Sequence, residues 1–61
     1  MIHQGTILWC KRTFEPERLT VGRLYVVQQT TEYPWAKIID DRGVIDSYNL
    51  NSFKIILKPC L

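Results

Sequence analysis

The sequence has little of what small proteins use to staple themselves together or to do chemistry. Two cysteines and one histidine occur in 61 residues. Cys10 and Cys60 lie near opposite ends with no CxxC pair, and His3 sits in the opening segment. Cysteine and histidine alone therefore cannot supply the four ligands of a structural zinc site, nor is there a disulfide framework. Two readings of the thiols stand open. Either both are reduced, as in a cytosolic protein, or one bridge joins the first and last strands, which needs Cα atoms about 5.5 Å apart. Gly5, Gly22 and Gly43 are too scattered for a phosphate-cradling loop. No apolar run nears the roughly 18 residues of a membrane span. The start, Met1-Ile2-His3-Gln4-Gly5-Thr6, lacks the basic and apolar regions of a secretory signal. The expectation is a cytoplasmic protein with no membrane partner. Charge is also sparse: eight basic against six acidic residues, net +2, is too weak to argue for nucleic acid by itself.

Catalytic constellations are equally scarce. An enzyme needs a nucleophile beside a base, or two carboxyls at a fixed separation. Cys10 falls inside a strand on the same face as Leu8, where a thiol is core material. Asp40 and Asp41 are adjacent, so their side chains diverge, and aspartate is favoured in turns for its bonds to nearby backbone. The residues thus predict no enzyme, no metal and no cofactor.

What is present is strand. Length allows one domain, residues 1–61, of marginal stability. Five runs rich in β-branched and aromatic residues are separated by turn signals: residues 6–10, 24–29, 35–40, 44–48 and 53–58. Residues 11–20 form a long loop broken by Pro16, with Phe14 and Leu19 expected to tuck inward. Asp41-Arg42-Gly43 reads as a hairpin and Asn49-Leu50-Asn51-Ser52 as one 3₁₀ turn. The fold class predicted is all-β, a small five-stranded barrel with a long first loop and a 3₁₀ turn before the last strand.

This order of elements resembles the Src-homology-3 fold over about residues 7 to 57. Ile7-Leu8-Trp9 is similar to its first strand, Leu19 to Val27 to its turn and second strand, and Tyr48 to Ile55 to its 3₁₀ turn and last strand. A closer resemblance is to small SH3-like proteins of bacteriophages and prophages. They share a first strand ending in cysteine, here Cys10, and an L-T-x-G-K-x-Y-x-V element, here Leu19-Thr20-Val21-Gly22-Arg23-Leu24-Tyr25-Val26-Val27. They also share an I-x-D-D-x-G hairpin, here Ile38 to Gly43, and a late Y-x4-F, here Tyr48 to Phe53. The resemblance implies a protein that binds a bacterial host protein in the host cytoplasm and inhibits or redirects it. The paired tyrosines of peptide-binding members are missing, with Trp9 and Lys11 near their places. The long loop is not acidic, so proline-rich recognition is not carried over.

Splitting the strands by their alternation assigns Leu8, Cys10, Tyr25, Val27, Ala36, Ile38, Ile45, Phe53, Ile55 and Leu57 to the core. The other face is not polar. It holds Ile7, Trp9, Leu24, Val26, Trp35, Ile39 and Ile56 among Arg23, Lys37, Lys54 and Lys58. A contiguous apolar patch on a small domain marks an interaction site, so Trp9, Leu24, Val26, Trp35, Ile39, Arg23 and Lys37 are the candidate partner-binding residues. A homodimer through this patch is compatible with that reading. The alternative is a nucleic-acid module, with Trp9, Tyr33, Trp35 and Tyr48 stacking on bases while Lys11, Arg12, Arg23, Lys37 and Arg42 contact phosphates. A second alternative is a peptide adaptor with a groove of Trp35, Leu50 and Phe53.

Overall fold

The computed structural model describes residues 2–57, Leu57 by its backbone alone. Strands β1 (Ile7–Cys10), β2 (Leu24–Thr30), β3 (Trp35–Ile39), β4 (Ile45–Asn49) and β5 (Phe53–Leu57) form one antiparallel sheet, with a 3₁₀ turn at Leu50–Ser52 before β5. The strands fall within about a residue of their expected places because β-branched runs meet turn chemistry at each end. Pairing runs β4-β3-β2-β1-β5, and no ladder joins β5 back to β4 among the described residues. The sheet is therefore open where a closed barrel was expected.

Turns carry the positive-φ glycines. Gly22, at φ +89°, donates its amide to the Cys10 carbonyl at 2.8 Å and turns the chain into β2. Gly43, at φ +78°, closes the β3–β4 hairpin by donating to the Asp40 carbonyl at 3.0 Å. Asn49 caps the 3₁₀ turn, its side chain accepting from the Asn51 amide at 2.8 Å.

The core is Leu8, Cys10, Leu19, Tyr25, Val27, Ala36, Ile38, Tyr48 and Phe53. Burying an aliphatic side chain such as Leu8, Val27 or Ile38 stabilises by about 1.5–3 kcal/mol. The Tyr25 and Phe53 rings meet edge to face, centroids 6.0 Å apart, an arrangement worth ~1 kcal/mol beyond area.

Several core assignments need correction. Ile45 faces out, because β4 takes the opposite parity: Tyr48 lies opposite Ala36 and Asp46 opposite Ile38 on the inner face, while Ile45 lies opposite Ile39. That parity buries the larger tyrosine ring and gives its hydroxyl a partner in Asp40. Ile55 pairs with Leu8 on the inner face but lies on an edge strand, where it is left exposed. Leu57 pairs with Ile7 across a bulge, which interrupts the strict alternation of β5, and its side chain lies outside the described residues. In the long loop Leu19 is buried as expected, but Phe14 is 83% exposed.

Candidate functional site

One end of the sheet is locked by two adjacent carboxylates aimed in different directions. Asp40 is buried. Its Oδ1 accepts from the amides of Arg42 (2.9 Å) and Val44 (3.3 Å), and its Oδ2 accepts from the Tyr48 hydroxyl (2.7 Å) and the Arg42 guanidinium (2.8 and 3.2 Å). The guanidinium beside it, and then the tyrosine hydroxyl and amides, hold this carboxyl well below the usual range against the opposing effect of burial. Asp41 turns to the long loop, accepting from Thr20 Oγ1 (2.6 Å), Tyr25 Oη (2.7 Å) and Arg23 (3.1 Å). The Thr20 and Tyr25 hydroxyls lower its pKa in turn. Burial, reinforced by Asp40, pushes the Tyr48 phenol up to about 12. No buried polar side-chain atom among the described residues is left without a partner, which describes a structural rivet more than an open reaction centre. Among the described residues no group of three His, Cys, Asp or Glu side chains is placed to hold a metal.

Cys10 is buried, its thiol donating to the Arg12 carbonyl at 3.2 Å, and burial raises its pKa. Cys60 lies outside the described residues, as does the bridge proposed for it.

The outer face of the sheet is different in kind. Ile45 lies opposite Ile39, and Val26 lies opposite Ile7. Val26 and Ile39, one step beyond the Val27–Ile38 pair, border one shallow hollow together with Leu24. An apolar row thus crosses β4, β3, β2 and β1. Beside it Trp9 lies between Leu24 on one flank and Lys54 on the other. Leu24 is 55% exposed, Ile45 54%, Val26 43% and Ile39 41%, and Ile56 at the β5 bulge is also exposed. Trp9 and Ile7 are half-buried.

Of the residues singled out from sequence, the structure brings Trp9, Leu24, Val26 and Ile39 together on this face. Lys37 lies next to Ile39 along the outward side of β3. Arg23 stands at the border of the hollow, its charge answered by Asp41. Trp35 belongs elsewhere. Although on an outward ladder position opposite Asn49, it lines two hollows at the far end of β3. One, of about 290 Å³, lies between the long loop and the 3₁₀ turn with Arg12, Phe14, Tyr48 and Asn51. The other, of about 510 Å³, is walled by Ile2, Tyr33, Leu50 and Ile55. Ile45, absent from the expected site, joins the patch. Only the parity of β4 hid it.

Neither alternative site is assembled as its residues led one to expect. Tyr48 is buried and bonded to Asp40, so its ring is not available to stack on a base. Arg42 is paired with Asp40 and lies 3.8 Å from Asp46. Lys11, Arg12 and Tyr33 are exposed but lie in the loops. Phe53 is core and cannot line the groove assigned to it with Trp35 and half-buried Leu50.

Compared with known proteins, the chain matches no family model, no curated protein and no solved structure.

Proposed function

We propose that this chain is a non-catalytic, SH3-like binding domain that docks the outer face of its sheet on a partner protein and thereby inhibits or redirects it. The observation that carries this reading is the apolar row Ile45–Ile39–Val26–Ile7, extended by Leu24 and Trp9, on a domain whose core is already filled from the other face. Water-facing sheet surfaces are ordinarily polar, and an apolar patch of this continuity marks an interaction site. The resemblance to small phage proteins directs the search to bacterial proteins in the host cytoplasm.

The test is a capture experiment from bacterial lysate with three baits: wild type, Val26→Ser/Ile39→Ser and Trp35→Ala. The proposal expects a protein held by wild type and by the Trp35 variant and released by the double variant. Retention by all three baits, each shown to be folded by circular dichroism, overturns it.

A further inference from the structure

The charges around the outer face are one-sided. Positions that the ladders place on the outward side include Ile7, Trp9, Leu24, Val26, Gln29, Trp35, Lys37, Ile39, Ile45, Ser47, Asn49 and Lys54, and none is a carboxylate. The acidic residues lie elsewhere. Glu15, Glu17 and Glu32 are in loops, Asp46 is on the inner side of β4 with Arg18 at 3.6 Å, and Asp40 and Asp41 at the border are paired with Arg42 and Arg23. Lys37 and Lys54, by contrast, form no ion pair among the described residues. The face is thus an apolar centre flanked by two uncompensated cations.

We infer that the surface which covers this face is that of an acidic protein: an apolar patch, on a helix or a sheet, rimmed by aspartate or glutamate. The inference rests on the docking role proposed above and adds the chemistry of the partner. Complementary rims speed encounter and reject wrong partners, and like charges brought together cost affinity. That argues against a second copy of this chain, whose own face would bring lysines and no carboxylate. A bilayer is disfavoured by shape. The aliphatic side chains are only about half exposed, embedded in the sheet surface, and do not project as inserting wedges would. Nucleic acid needs open aromatic rings beside the cations, whereas Trp9 is half-buried, Phe14 and Tyr33 are in loops, and the exposed ring of Trp35 lines the hollows at the far end of β3.

Two helical peptides with the same leucine face, one rimmed by glutamate and one by lysine, provide the test. Each is titrated into wild type, Lys37→Glu/Lys54→Glu and Val26→Ser/Ile39→Ser, with binding read from backbone amide shifts. Undisturbed amides of Leu8, Val27 and Ile38 certify each fold. The glutamate peptide should shift the amides of Leu24, Val26, Lys37, Ile39 and Lys54. Reversing both lysines should weaken it on the order of tenfold and favour the lysine peptide instead. If both peptides bind wild type equally at these residues, the docking face stands and the acidic partner falls. If neither shifts them, both fall. Preferential binding of phosphatidylglycerol vesicles or of a thymine oligonucleotide at the same residues overturns the protein partner in favour of a membrane or a nucleic acid.

Discussion

Replacing Asp40 by Asn keeps the shape of the hairpin lock and removes its charge, so the variant measures what ionisation there contributes. The asparagine carbonyl oxygen can still accept the two backbone amides now on Oδ1, while the bonds on Oδ2 from Tyr48 and the Arg42 guanidinium are lost or reversed. Hydrogen bonds to a charged group contribute ~1.5–3 kcal/mol each. The Arg42 side chain is 39% exposed, so water replaces part of its contact, and the expected loss for the set is about 2 kcal/mol. On a chain of this size that is a fall of roughly 10–15 °C in Tm. Because the native carboxyl is held below its ordinary pKa, its stabilisation is full above about pH 4 and is lost as pH falls through the lowered native value. Wild type protonated at Asp40 then resembles the variant. Urea unfolding followed by tryptophan fluorescence at about pH 7 and about pH 2 should therefore show a gap that narrows on acidification. Asp41, also lowered, titrates in both proteins, and the neighbouring Asp40 charge, which raises it in wild type alone, is the last and smallest of the influences on it. A gap below about 0.5 kcal/mol at neutral pH, or one that is the same at both pH values, would refute the reasoning.

At the alkaline end the sign reverses. The Tyr48 phenol is favoured in its neutral form, so stability is full below about pH 10 and is lost as pH rises toward 12. Tyr48→Phe should cost ~1–2 kcal/mol at neutral pH and flatten that alkaline loss, both readable by denaturant titration. Gly43→Ala meets no steric obstacle but must hold φ near +78°, so it should cost about 1–2 kcal/mol, and Gly43→Asn less. Phe14→Ser should change stability by less than about 0.5 kcal/mol, since the residue is 83% exposed. Cys10 should stay unmodified by iodoacetamide in the native protein and react once urea unfolds it, as site-resolved mass spectrometry can follow.

The strands and turns were legible because each is written locally. Leu24-Tyr25-Val26-Val27 favours a pleated surface, and Asp41-Arg42-Gly43 supplies the glycine that its turn requires. Most of the outer patch was legible too, since alternation along β1, β2 and β3 separates Leu8, Tyr25 and Ile38 from Trp9, Val26 and Ile39. What was not legible is what depends on pairing. Ile45-Asp46-Ser47-Tyr48 offers an apolar residue on either parity, and the one observed buries the larger tyrosine ring and bonds its hydroxyl to Asp40, a residue outside the strand. The register shifts after Val27 and beside Ile7 are equally invisible, because bulges leave no mark in a single sequence. Trp35 has the outward parity that alternation gives it, but alternation does not show that it lines the hollows at the loop end of the strand. The imbalance of charge on the outer face needed the ion-pair partners of the acidic residues, which lie far apart in the chain.

The core and the proposed docking face are interleaved residue by residue along the same strands: Tyr25 and Val27 are buried, and Leu24 and Val26 are open. Mutation therefore acts on them through two separate channels. Point substitutions at alternate positions can rewrite the surface and retarget the protein while the interior stays untouched. A one-residue deletion within β2 would instead exchange the two faces at a stroke. A lineage of such domains should accordingly diversify its partners by substitution and tolerate length changes only in the loops.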